Sequence, residues 1–208
     1  MCSSDLALFA AEHAGVAPDV ACVGKAGSGA AIAFAKAGAR VVAVSTVVGM
    51  LSDPDGLDVG ELLELRGEHG DDFVRHAHAA MRPREELFAV ECDVLVPGAR
   101  PHVVSRENAA SLACAVVSPA ANIPYAPGAP DALAERGILA LPDFVANAGG
   151  VHLYESPDCQ GDDPVACLES VARINREGTE RVLARAEAEG VTPMQAAFRL
   201  ADDFLSAA

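Results

Sequence analysis

The run Val23-Gly24-Lys25-Ala26-Gly27-Ser28-Gly29-Ala30 places three glycines among small neighbours, directly after a short apolar stretch, Val20-Ala21-Cys22-Val23. Small residues at a strand-to-helix turn let exposed backbone amides and the positive end of a helix dipole meet an anion, and a pyrophosphate suits this pattern. Set against G-x-G-x-x-G, the last two glycines fall on Gly24 and Gly27 and the first position is Cys22, so the fingerprint is incomplete. A tight turn that only packs a helix on a sheet accounts for the spacing equally well. The usual companion is an acid about 20 residues on, at the end of the second strand, where it binds the ribose hydroxyls of NAD. Ser45-Thr46 stands there instead. Neither that acid nor an arginine for the 2′-phosphate of NADP is evident, although Arg40 opens the strand and Lys25 lies in the turn. NAD and NADP both stay open.

Other chemistry-bearing residues are few. Lys25 and Lys36 are the only lysines, one in the glycine turn and one in the helix after it. A lone histidine such as His152 is more often structural or solvated than an acid or base. His76-Ala77-His78 has two imidazoles two apart, which on a helix point to different faces, so a solvated surface is expected and no metal site. The six cysteines, Cys2, Cys22, Cys92, Cys114, Cys159 and Cys167, contain no C-x-x-C, and several lie in apolar runs; buried thiols are expected rather than zinc ligands or disulfides.

Composition bounds the partners. Thirty acids against fifteen Lys and Arg give a net charge of −15, which excludes a phosphate-backbone ligand that needs clustered cations. No apolar run approaches the roughly 20 residues of a membrane span, and Asp5 and Glu12 stand where a secretory leader would be basic. A cytoplasmic protein is the expectation. Half of the residues are apolar, aromatics are scarce, and 208 residues suit one sizeable α/β domain, 1–208, whose helical C-terminal part begins near 163.

The elements that must hold these residues follow from pattern. Ser3-Ser4-Asp5 and the apolar stripe after it predict an opening helix closing near Gly15 and Pro18. Val20–Val23, the glycine turn, a helix from Ala30 to Ala37, and Arg40–Ser45 make one βαβ unit, which the crossover rule makes parallel. Residues 59–82 read as polar and helical, interrupted by Gly67 and Gly70. Val94–Gly98, Ala115–Val117 and Ile138–Pro142 read as further parallel strands, with helices at 106–112 and 129–136 between them. Apolar positions three and four apart predict a long helix over 165–189 and a shorter one over 192–205. The fold class is α/β, a Rossmann-type parallel sheet flanked by helices with further helices at the C-terminus.

Five ordered segments together resemble the Glu/Leu/Phe/Val dehydrogenase family. They are Gly24-Lys25-Ala26-Gly27 with 37–45, Asp53-Pro54-Asp55-Gly56-Leu57-Asp58, Cys92–Ala99, Ala121-Asn122-Ile123-Pro124, and 134–139 leading into Pro142–Val151. The last, with Ala146-Asn147-Ala148-Gly149-Gly150, is the most specific. The resemblance implies an NAD or NADP site made by Gly24, Lys25, Ala26, Gly27, Ser45, Thr46, Gly98, Ala99, Asn122 and Asn147, the two asparagines at the nicotinamide end. An amide offers donor and acceptor without a charge that competes with hydride chemistry; turn formation is the plainer role for Asn and Gly.

The family's catalytic lysine, a second lysine for the substrate carboxylate and an acidic proton carrier belong to a substrate domain that this sequence does not contain. No catalytic residue is therefore assigned here. After Val151, His152-Leu153-Tyr154-Glu155-Ser156-Pro157 replaces the family's helix toward the substrate cleft. Two functions stand: the NAD(P)-binding part of an amino-acid dehydrogenase, inactive alone and completed by a separate substrate-domain chain, or a non-catalytic nucleotide-binding or interaction protein, or a degenerate remnant.

Overall fold

The computed structural model of the chain describes residues 19–207, so the expected opening helix lies outside the described residues. Strand β1, Asp19–Val23, is followed without a loop by helix α1, Gly24–Lys36, and then by β2, Arg40–Ser45. β1 pairs in parallel with β2 on one side and with β5, Val94–Pro97, on the other. Beyond β5 come β6, Val116–Val117, and β7, Leu139–Ala140, also parallel. The opposite edge carries two short antiparallel strands, β3 at Met50–Ser52 and β4 at Met81–Arg82, completing the order β4-β3-β2-β1-β5-β6-β7. β-branched apolar residues fill the central strands, as sheets covered on both faces require.

Each face has its own core. On one, Ala30, Ala31 and Phe34 of α1 pack with Val20, Val94, Val96 and Leu183. On the other, Ala129 and Leu133 of helix α4, Ala129–Glu135, close over Leu95, Val117 and Tyr125. Helix α2, Val59–His69, and helix α3, Arg106–Ala109, precede α4; helices α5, Asp143–Ala146, and α6, Gly149–Glu155, follow β7. Helix α7, Pro164–Glu189, is capped by Asp163, whose side chain accepts from the Val165 and Ala166 amides, and ends at the left-handed Gly190. Helix α8, Pro193–Ala207, opens on a reciprocal cap between Thr192 and Gln195. Arg185, Glu189, Arg199 and Asp203 clasp α7 to α8.

Several expectations change. The helical stretch expected over 59–82 stops at His69, because Gly70 turns left-handed (φ 59°); a 3-10 segment, Gly70–Arg75, and β4 take the remainder. His76 and His78 consequently lie beyond any helix: His76 stacks on His69 with centroids 3.8 Å apart, and His78 Nδ1 meets Glu61 Oε1 at 2.6 Å. Residues 149–155 are helical, so the segment after Val151 keeps a helix that stops only at Ser156-Pro157. Cys159 and Cys167 form a disulfide, contrary to the expectation of thiols. The 3-10 turn Pro157–Gln160 folds back on the start of α7 and brings the two Cα atoms to 4.5 Å, a tertiary approach that sequence spacing does not display.

Candidate functional site

Every residue expected to contact a cofactor lies at the carboxyl ends of the parallel strands. The ladder fixes their order across this edge: Ser45, Val23 and Pro97 stand in one row. Gly24 and Gly98, the residues that leave the sheet next, therefore start side by side between β1 and β5. That is where strand order reverses, from β1 outward to β2 and then back to β5, and such reversals open a crevice above the sheet. Gly24, Lys25, Ala26 and Gly27 form the first turn of α1, so the turn read as a loop is already helical. The first four amides of a helix have no acceptor within it, and here they face the crevice end of the sheet.

Thr46 follows β2 at this edge and opens the turn into β3. Its amide donates to the Gly49 carbonyl at 2.8 Å, and its hydroxyl accepts from the Val48 amide at 3.1 Å, closing the turn into β3. Ser45 beside it is buried. A Cβ at Gly49 would lie 2.9 Å from Met81 Cγ and 3.0 Å from the Arg82 carbonyl, so only glycine fits the turn. Arg40 is at the other end of β2, where its Nε and Nη2 donate to the two carboxylate oxygens of Asp19 at 2.7 Å. That pairing and position remove it from a 2′-phosphate at this edge. The Asp19 carboxylate holds the guanidinium pKa above its ordinary value.

The nicotinamide-side residues come together directly. The Pro97 carbonyl accepts from both the Ala120 and Ala121 amides at 3.0 Å, tying the loop after β6 to the end of β5 beside buried Gly98 and exposed Ala99. The Asn147 Nδ2 group donates to the Ala121 carbonyl at 2.9 Å and to Asn122 Oδ1 at 2.8 Å. Both predicted asparagines thus meet, one half-buried and one exposed. Two further groups were not singled out from sequence. Asp143 Oδ2 accepts from the Ile123 amide at 2.8 Å, and the His102 amide donates to the Ile123 carbonyl at 2.8 Å. Ile123 and His102 both have positive φ, 51° and 55°. For a β-branched residue that backbone is strained by roughly 1–3 kcal/mol, and it persists because both peptide groups of Ile123 are held. An acid after Pro142 is visible in the sequence, but its partner 20 residues earlier is not.

Ser118, just past β6, is fully buried with an unpartnered hydroxyl. His152 is half-buried on α6; among the described residues no cluster of three or more His, Cys, Asp or Glu is arranged to hold a metal. Lys36 ends α1, about 18 Å along the helix from Gly24 at the usual rise of about 1.5 Å per residue, and so lies away from the crevice.

The Glutamate/Leucine/Phenylalanine/Valine dehydrogenase family model matches residues 10–202. The NAD-specific glutamate dehydrogenase of Staphylococcus aureus (strain COL) is 41% identical over 128 residues, which cover 62% of this chain and 30% of that protein. Among solved structures, the hetero-hexameric glutamate dehydrogenase of Thermus thermophilus superposes with a TM-score of 0.84 at 28% identity, covering 98% of this chain and 50% of that one. The L-tryptophan dehydrogenase of Nostoc punctiforme shares the fold, with a TM-score of 0.69 at 23% identity over 97% of this chain and 58% of that one. The chain therefore spans about half the length of these solved structures, and less of the curated relative.

Proposed function

The chain belongs to the Glutamate/Leucine/Phenylalanine/Valine dehydrogenase family, and from that premise we propose that residues 1–208 act as one NAD(P)-binding domain of an amino-acid dehydrogenase. The reaction is oxidative deamination of an L-amino acid to a 2-oxo acid. The Asn147–Asn122 bond beside the β1/β5 crevice carries this reading. It fixes two amides at the end of the crevice opposite Thr46, with Asn147 Oδ1 and Asn122 Nδ2 left to meet a carboxamide. When bound, the nicotinamide supplies the hydride acceptor or donor. The residues fit it: α1 presents amides to a pyrophosphate, Gly98 and Ala99 give backbone along the dinucleotide, and Ser45 and Thr46 stand at the ribose position.

The proton-transfer groups come from the half of the fold that this sequence does not span. Deamination needs a base that activates water and an acid that serves the amino group. Neither Lys25 in the first turn of α1 nor Lys36 at its far end is assigned that work. No turnover by the 208-residue chain alone is expected, and a separate substrate-domain chain is the partner that completes it. A cytoplasmic setting is part of this reading; among the described residues no helix is long and apolar enough to cross a membrane.

A second reading, a nucleotide-binding or interaction protein without catalysis, is favoured by Thr46, whose hydroxyl accepts within its own turn where an acid would hold the ribose. Titration with NADH and NADPH, followed by nicotinamide fluorescence, tests the binding common to both. Saturable binding is expected, and no change at millimolar concentrations of either sinks the dehydrogenase reading. Adding the substrate half of a glutamate dehydrogenase and assaying amino-acid-dependent NADH formation then separates catalysis from binding alone.

A further inference from the structure

The edge of the sheet opposite the crevice carries a feature that dinucleotide binding does not use. The approach to β5 and the approach to β6 are already paired before the strands begin: Glu91 stands opposite Ala113, and Val94 opposite Val116. The offset is the same at both points, so Cys92 stands opposite Cys114. Hydrogen bonds hold the register on either side, from the Cys92 amide to the Ala113 carbonyl and from the Ala115 and Val116 amides to the Asp93 carbonyl, at 2.9–3.0 Å. Neighbouring strands run about 4.8 Å apart, inside the window of about 4.4–6.8 Å that a disulfide requires between Cα atoms. The disulfide this chain already has, Cys159–Cys167, spans 4.5 Å. Both side chains pack on the same face, against the core that holds Leu112 and Tyr125. Both also line a groove of about 490 Å³ that opens to solvent among Asp19, Glu91, Asp93 and Arg136.

We propose that Cys92 and Cys114 are a modification site, an in-register dithiol that a hydroperoxide entering this groove converts to a cross-strand disulfide. The sulfur of one thiol attacks the outer oxygen of the hydroperoxide. The O–O bond breaks, the departing alkoxide takes the thiol proton and leaves as an alcohol, and that cysteine becomes a sulfenic acid. The second sulfur then attacks the first. The S–O bond breaks, and hydroxide leaves as water with the second thiol's proton. Each sulfur is oxidised by one electron, and the peroxide is reduced by two. Burial pushes the Cys114 thiol up to about 12, although Arg136 opposes this. Cys114 is therefore a poor first nucleophile at neutral pH, and the proposal gives the first step to Cys92, its partner across the register, with Cys114 resolving it.

The test uses the folded chain, treated with hydrogen peroxide, alkylated and digested with trypsin. The cysteines fall in separate peptides, 85–106 for Cys92 and 107–136 for Cys114, whereas Cys159 and Cys167 share a third. The expected product is the first two peptides linked, two hydrogens lighter than their sum and separated by a reductant. In Cys114→Ser, dimedone should label Cys92; in Cys92→Ser, it should leave Cys114 unlabelled. The proposal is overturned if Cys92 and Cys114 both alkylate fully after peroxide, or if either links instead to Cys2, Cys22, Cys159 or Cys167. Labelling of Cys114 but not Cys92 overturns the order of attack. If a serine variant does not fold, the wild-type peptide map still decides the pairing.

Discussion

The two edges of the sheet are held in different ways. At the amino edge charges do the work: Arg40 is paired with Asp19, and the Arg136 guanidinium donates to the carbonyls of Ala109 and Leu112. At the carboxyl edge neutral groups do most of it, through Asn147, the Pro97 carbonyl and the strained peptide of Ile123, whose amide donates to Asp143. The charged edge closes on itself. The neutral edge keeps amide groups of Asn122 and Asn147 in reserve and holds a backbone conformation that folding alone disfavours, which is the pattern expected where a ligand completes the hydrogen bonding.

Substitutions that separate the edges should separate binding from stability. Asn147→Ala has the largest expected effect on the cofactor. It leaves the Ala121 carbonyl and Asn122 without their donor and should raise the NADH Kd at least tenfold in a fluorescence titration. Its stability cost in urea unfolding should be about 1–3 kcal/mol. Arg136→Met should do the reverse. The Ala109 and Leu112 carbonyls lose a charged donor, unfolding should become easier by about 1.5–3 kcal/mol, and NADH affinity should stay within twofold. A Kd that rises as much in Arg136→Met as in Asn147→Ala would erase the distinction.

Smaller changes sharpen it. Ile123→Asn places a residue that tolerates left-handed φ where a β-branched one is strained, and should stabilise the chain by about 1 kcal/mol, roughly 2–4 °C in Tm. A lower Tm would show that the Ile123 side chain, 59% exposed, contributes more than its backbone costs. The smallest effect lies outside both edges. Arg199, then Arg185, hold the Glu189 carboxyl below its usual value. A depressed carboxylate stabilises the fold above its unfolded pKa of about 4.3 and loses that contribution as pH falls through the folded value. Below about pH 5 the wild-type Tm should therefore fall more steeply than that of Arg199→Ala in a thermal melt series.

Much of the central sheet was legible because Val20–Val23, Arg40–Ser45 and Val94–Pro97 are apolar runs bounded by turn residues. The long C-terminal helix was legible from its period. The antiparallel edge was not. β3 and β4 have three and two residues, too few for alternation, and they exist because the Thr46–Gly49 turn folds the chain back onto β2. The asparagines could be named from resemblance, yet their bond joins residues 25 apart in the chain and depends on the loops after β6 and β7 arriving together. The Cys92–Cys114 register was equally invisible, since strand pairing and not spacing makes them neighbours.

The central claim, that the carboxyl edge receives a dinucleotide, is most directly tested by hydrogen exchange with and without saturating NADH. Slowed exchange is predicted in 24–27, 98–99 and 121–123 and in the amides around Asn147, with 91–93 and 112–115 at the amino edge unchanged. Protection confined to the amino edge, or none at either edge at a concentration that saturates fluorescence, would contradict it.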